Sequence, residues 1–279
     1  MGYLILAIVS STLVSVCMRC SERCVTNQMG MFAANYAVCT LLSAAFAGAD
    51  GLRQPRVTLL QIVVLGAASG VLYLVSFLFM KLNMRHNGMV LTATFMKLGV
   101  LIPTAMAVAV FREVPRMPQM LGFALALAAI VLLHFDRNAL QQGGKMGWLV
   151  LLLVLSGATD SMANVFEQLS GGAGKDLYLV VTFLAAFGLA LGGSLRGTVP
   201  VKRQDLLWGM LIGVPNYFSS RFLLLALGHL QAVVVYPVYS VGTLIAISLI
   251  GAAVFREVLN ARKYAAFGLI ILALTLLNL

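Results

Sequence analysis

Charge is what this chain lacks most. Of its 279 residues, only 10% are Asp, Glu, Lys or Arg, while 61% are hydrophobic. Soluble domains carry about 25% charged and about 45–50% apolar residues, so a water-soluble enzyme or binding domain is excluded. Acids are scarcer than bases, 9 against 19, and the net charge is +10. That excess does not argue for nucleic acid as a partner. The bases stand singly between apolar runs, where lipid headgroups and the positive-inside rule account for them. Histidine occurs 3 times and cysteine 4 times, too few for a secreted disulfide scaffold of this length. Cys17, Cys20 and Cys24 fall at i, i+3 and i+7 and share a face if the first helix continues past Met18. No His or carboxylate stands at clear ligand spacing from them, so they read as free thiols, and neither metal nor cofactor is expected. Alternation of polar and apolar residues is also missing, which excludes a transmembrane barrel.

What is there is apolar sequence in long runs, with a mean hydropathy of +0.98. A helical span needs about 20 such residues. Ten stretches qualify: 2–18, 30–48, 58–80, 88–110, 118–135, 147–167, 176–194, 206–227, 232–254 and 262–279. The first has no basic n-region and no small-x-small cleavage site, so it reads as a retained span rather than a signal peptide. The expected class is an all-α integral membrane protein with the lipid bilayer as its surroundings.

The chain also repeats itself. Residues 66–102 align without a gap on 209–245. Gly66, Gly70, Phe79, His86, Val90 and Gly99 meet Gly209, Gly213, Phe222, His229, Val233 and Gly242. Phe111-Arg112-Glu113 recurs as Phe255-Arg256-Glu257, and Gly2-Tyr3-Leu4 resembles Gly147-Trp148-Leu149. The halves are 1–140 and 141–279, with five spans each. An odd number forces the second half into the membrane upside down, so the expectation is ten transmembrane helices in two inverted five-helix repeats. Secondary transporters are built this way, with the site near the midplane. Loops after odd-numbered spans carry 12 bases and loops after even-numbered spans 5, counted from the sequence. The richer side is expected to be cytoplasmic, which puts both termini outside a plasma membrane, with a bacterial source expected.

Phe111–Leu133, FREVPRMPQMLGFALALAAIVLL, and its partner FREVLNARKYAAFGLIILALTLL resemble the end-of-repeat pattern of EamA-type transporters in the drug/metabolite transporter superfamily. In that pattern a span ends in glutamate, a short turn follows, and the last helix opens with Gln-x-x-Gly. Glu113, Gln119 and Gly122 fit; the second copy keeps Glu257 but has Lys263 and Ala266 at the other places. The resemblance implies ten helices and a central cavity. It implies no particular substrate.

Charges inside the bilayer cost at least about 2.5–3.5 kcal/mol, so those within the runs need a reason. Lys97 lies mid-run and opposite Ser240 in the repeat; it is read as a cation for a substrate carboxylate or phosphate, or as half of an ion pair with Asp160. Asp160 can hold an ammonium or a transported proton, or serve as counter-ion to Lys97 or Arg221. Asn164 follows it on the same face, with Glu167 near the interface. Arg221 can bind an anion bidentately or reach for the interface, and Asn216, Tyr217 and Ser220 precede it. Tyr236, Tyr239 and Ser240 cluster around Pro237; Tyr73, Ser76, Asn35 and Tyr36 are further candidates. Pro103, Pro215 and Pro237 interrupt runs and permit bending. Glu113 and Glu257 end the fourth and ninth runs as solvated helix ends with local ion pairs, or as gate latches. Gly66-x3-Gly70, Gly209-x3-Gly213 and Gly188-x3-Gly192 permit close helix packing.

No Gly-x-Ser-Gly with a deep histidine, no Gly-x-Gly-Asp pair and no His-Glu-x-x-His is present, so an intramembrane enzyme is not expected. No TVGYG-type filter suggests a channel. The expectation is a secondary active or facilitative transporter of a small amphipathic metabolite, an amino acid or related zwitterion, working by alternating access. An organic-anion or phosphate-ester exchanger, with Asp160 as a structural counter-ion, is the other reading. Protons are a candidate coupling ion, and monomer and homodimer both stay open.

Overall fold

The computed structural model describes residues 1–22, 24–48, 56–134, 146–171, 173–255 and 261–277. Among the described residues there are ten α-helices and no strand. They are α1 (Gly2–Ser21), α2 (Gln28–Ala47), α3 (Arg56–Leu98), α4 (Leu101–Ala109) and α5 (Met117–His134), then α6 (Met146–Ser170), α7 (Lys175–Arg196), α8 (Arg203–Leu227), α9 (Ala232–Phe255) and α10 (Ala261–Leu277). Seven stretches are long and apolar enough to cross a membrane; Phe95–Ala109, Met117–Leu132 and Gly268–Leu277 are shorter apolar helical pieces. The chain is a helical membrane protein.

The expected boundary at 81–87 is a reversal with no loop of its own. The backbone is helical from Arg56 to Leu98, yet Ser76 bonds Thr159 (2.8 Å) and the Met96 carbonyl accepts from Ser156 (3.3 Å), one turn of α6 apart. Twenty residues of straight helix would span about 30 Å, so α3 doubles back between its two arms. The chain next leaves the helix at Gly99–Val100. Side-chain bonds hold the corner. Asn83 donates its amide to the Phe79 carbonyl (2.9 Å) and to that of Trp148 (3.0 Å). Asn87 donates to Asn83 Oδ1 (2.7 Å), and the His86 ring lies 6.1 Å from that of Trp148. Polar groups spaced four apart thus bond along the helix at the reversal and onto α6. Pro103 does not interrupt a helix. It falls in the first turn of α4, where proline is tolerated, whereas Pro215 and Pro237 do lie inside α8 and α9.

The helices form two compact units, and each takes elements from both halves of the sequence. The first holds Met1–Leu74 and Val165–Gly228, the second Val75–Asn164 and His229–Leu279. The repeat boundary near residue 140 is a different division from this one.

In the first unit α2 packs on α7 and α8, and α1 on α8. Glycines set the approach. A Cβ on Gly70 would lie 2.5 Å from the Thr182 carbonyl oxygen, and one on Gly66 2.9 Å from the Val181 side chain. A Cβ on Gly209 would run into the Met31 carbonyl, and one on Gly213 would lie 2.7 Å from Val38 Cβ. The repeat-equivalent glycine pairs therefore each seat a second-position helix, α7 for one and α2 for the other. Gly188 and Gly192 have no described atom within 4 Å of such a Cβ and do not act as a packing seam. Contacts between α2 and α7 run in opposite sense along the two chains. Asn27 donates to the Val199 carbonyl (2.6 Å), Met29 touches the Gly193 position, and Tyr36 stacks near Phe183. These two helices are antiparallel.

In the second unit α5 packs on α10, and α9 on α4. Gly122, near the start of α5, meets Ala273 and Leu277 at the end of α10. The crossing of α6 over the α3–α4 junction is the closest approach there. A Cβ on Gly157 would lie 2.5 Å from the Gly99 carbonyl oxygen, and the Ser156 hydroxyl donates to the Met96 carbonyl (3.3 Å).

Candidate functional site

The Gly99–Gly157 crossing sets where Lys97 and Asp160 stand. Lys97 stands two residues before it on α3, and Asp160 three residues after it on α6. Because both glycines lack a side chain, the backbones touch there and the two charges come within each other's field. Among the described residues they do not close to an ion pair within 4.0 Å. Lys97 is half-buried and Asp160 is exposed, although protein surrounds both.

Neighbours on α6 and α9 complete the constellation. The Tyr236 hydroxyl donates to the Asp160 backbone carbonyl (2.7 Å), which fixes α9 against α6 at this level. Ser76 on α3 and Thr159 share a hydrogen bond of 2.8 Å. Asn164, one turn on from Asp160, is 1% exposed, and its amide nitrogen has no hydrogen-bond partner. A buried donor left unmade costs about 1–3 kcal/mol, so this nitrogen is a place where a ligand acceptor gains. Tyr239 and Ser240 are half-buried on α9. The whole set, Lys97, Asp160, Asn164, Tyr236, Tyr239 and Ser240, belongs to the second unit.

The other sequence-selected residues lie in the first unit and have internal partners. Asn216 donates to Asn35 Oδ1 (3.2 Å), and the buried Cys39 thiol donates to the Gly213 carbonyl (3.2 Å). Together they form a polar tie between α2 and α8. Tyr217 is fully buried. Arg221 donates to the Tyr217 hydroxyl, pairs with Asp176 (3.2 Å) and lies 4.4 Å above the Phe46 ring centre. Its anionic partner is thus a carboxylate of α7. Glu167 pairs with Lys175 (2.9 Å) rather than standing as a solvated end. Tyr73 is half-buried on α3.

Glu113 is neither a solvated end nor half of a local pair. Its carboxylate accepts from the backbone N–H groups of Ala232 (3.2 Å) and Val233 (2.9 Å), the first residues of α9. Helix N-termini leave such donors open, and a carboxylate there is favoured by the helix dipole as well. Glu257 lies outside the described residues. Ser156, Gly157, Gly99 and Thr159 build the crossing, and the sequence signals them only as small residues in apolar runs. Among the described residues no group of three or more His, Cys, Asp or Glu side chains can hold a metal.

The fold is one already known among solved structures. One crystal structure, described only as that of a protein, aligns with 98% of this chain and 94% of its own at a TM-score of 0.76. The two sequences are 14% identical, so the likeness speaks for the fold alone. No protein-family profile matches the chain, and no curated protein matches it.

Proposed function

We propose that the chain is an inverted-repeat carrier of a small zwitterion, an amino acid or a close relative, bound between Lys97 and Asp160. The observation that carries this reading is two opposite charges held near each other without pairing, one of them exposed, beside the unpartnered Asn164 amide. A carboxylate suits Lys97 and the Asn164 donor; an ammonium suits Asp160. A charge this deep in a span marks a functional site by default.

Packing supports the inverted repeat. Gly66 and Gly70 seat α7 as Gly209 and Gly213 seat α2. Phe79 meets Trp148 at 5.7 Å between ring centres, as Phe222 meets Tyr3 at 6.5 Å. The equivalent helices α2 and α7 run in opposite directions. This reading makes all the helices part of the membrane domain, the second arm of α3 and α4 together forming one span, in the manner of the EamA-type pattern, with alternating access between two facings of one site. Both termini lie outside the plasma membrane in it.

A thermal-shift screen of the purified protein tests the site. Amino acids, organic acids, phosphate esters, nucleosides and quaternary amines are compared on wild type, Lys97→Ala and Asp160→Asn. Stabilisation by amino acids that both variants lose is the expected result, since a ligand at 100 times its Kd adds about 2.7 kcal/mol. Stabilisation by organic acids or phosphate esters that survives Asp160→Asn moves the reading to an anion exchanger. Saturable flux in liposomes that a trans substrate accelerates then separates a carrier from a channel. Proton coupling through Asp160 requires that Asp160→Asn abolish pH-driven uptake.

A further inference from the structure

The fourth apolar run is a broken helix, and the break lies beside the charged pair. α3 ends at Leu98 and α4 starts at Leu101. Between them the backbone closes tightly. The Gly99 N–H donates to the Phe95 and Met96 carbonyls (3.2 Å each), the Val100 N–H to that of Lys97 (3.3 Å) and the Ile102 N–H to that of Gly99 (3.0 Å). In a continuous helix each N–H reaches four residues back, so two groups lose their partners here. The Leu101 N–H finds the Lys97 carbonyl taken by Val100, and the Leu98 carbonyl loses Ile102 to Gly99. Among the described residues no other backbone bond reaches either group.

Pro103 fixes this arrangement. It has no N–H to give the Gly99 carbonyl, which leaves that oxygen to Ile102. The second copy makes the comparison. Gly242 stands at the place of Gly99, Ala246 stands in register with Pro103, and α9 is helical throughout.

Unpaired backbone at membrane depth is tolerated only inside protein or along a water-filled cavity. Leu98 and Leu101 are half-buried, and Asp160 is exposed in the middle of an apolar helix, so there is open space at this level. Asp160 stands about one turn beyond Gly157, whose Cβ would lie 2.5 Å from the Gly99 carbonyl oxygen. The two sides of the break differ in sign. The last carbonyls of a helix carry partial negative charge and the first N–H groups partial positive charge. An acceptor and a donor are thus set beside Lys97 and Asp160, and the buried Asn164 amide adds an unpartnered donor one turn further on.

We propose that the break at 98–101 completes the zwitterion site and selects primary ammonium groups. The Leu98 carbonyl accepts an N–H of the ammonium that Asp160 neutralises, and the Leu101 N–H donates to the carboxylate held by Lys97. The substrate class narrows to amino acids with a free –NH3+ group. Betaine-type zwitterions carry the same charges but have no N–H for the carbonyl, and they are rejected. This inference rests on the carrier reading and deepens it.

Binding to the full chain in detergent tests it, with glycine, alanine and leucine each offered as the primary amine and as its N-trimethyl derivative. On wild type the primary amines are expected to bind about ten-fold more tightly or better, the worth of one hydrogen bond to a charged group. In Pro103→Ala the new N–H closes on Gly99 and frees Ile102 for Leu98. The primary amines are then expected to weaken about ten-fold while the trimethyl forms keep their affinity. Crowding at Asp160 alone would leave the ratio unchanged in that variant, which overturns the proposal. Hydrogen exchange across 98–106 needs no variant: leucine is expected to slow it on wild type, and unchanged exchange with leucine bound also overturns the proposal. Equal affinities of primary and trimethyl forms on wild type, lost in Lys97→Ala and Asp160→Asn, overturn it while the carrier site stands. Binding of none of the six compounds overturns both.

Discussion

A single methyl group separates the two kinds of glycine in this protein. Gly213 has Val38 Cβ 2.7 Å and the Asn35 carbonyl oxygen 2.8 Å from where its own Cβ would be, whereas Gly188 has nothing within 4 Å. Gly213→Ala is therefore expected to lower the melting temperature in detergent, overpacking costing about 1–3 kcal/mol. Gly188→Ala is expected to raise it slightly, through the gain of up to about 1 kcal/mol in helix propensity. Equal effects of the two would refute this assignment of the α2–α8 seam. Both glycines stand in the same Gly-x3-Gly spacing, so sequence alone ranks them together; only the tertiary neighbour tells them apart. The same holds for the polar residues. Lys97 and Asp160 stand out in the sequence because a charge inside an apolar run demands a reason, and the fold brings them near each other. Asn216, Tyr217 and Arg221 looked equally poised for a ligand but have partners in Asn35, Phe46 and Asp176. A polar group in a span is satisfied by another span as readily as by a substrate, and spacing along one helix cannot distinguish the two.

At the scale of elements, the apolar runs give the helices closely, and the polar stretch 81–87 marks the corner where α3 doubles back along α6. Asn83, His86 and Asn87 bond along the helix there and onto Trp148. The corner therefore needs no loop, which polarity alone does not say. The α7–α8 pair offers a prediction of another kind. Arg221 ties α8 to Asp176 at the start of α7 and covers Phe46 of α2. The pair is partly exposed, with side-chain accessibilities of 22% and 32%, so it contributes only about 0–1 kcal/mol. The ring contact adds about 0.5–1 kcal/mol. Arg221→Gln is expected to destabilise by roughly 1–2 kcal/mol in thermal melts and to leave ligand-induced shifts intact. Loss of the ligand shift with unchanged melting would instead make Arg221 part of the binding site.

For the whole molecule, the excess of bases carries the prediction. If the 12 against 5 loop bases of the sequence govern insertion, a reporter active only outside the cytoplasm is active when fused after Leu279. The same reporter inserted between Arg196 and Arg203 is silent. The reverse pattern would invert the orientation and leave the helical architecture untouched. The helical membrane class was legible from the apolar runs; the mixing of helices from both halves into each compact unit was not, since no local signal says which run packs on which.

The placing of Lys97 and Asp160 in one unit has an electrical consequence. Their charges sum to zero, and on the proposed carrier reading a bound zwitterion adds zero. Moving one elementary charge through the membrane potential is worth about 2.3 kcal/mol per 100 mV, but the loaded site offers the potential no net charge to act on. Flux of the zwitterion alone would then follow its concentration gradient and be indifferent to voltage, and any current observed would count the accompanying ions.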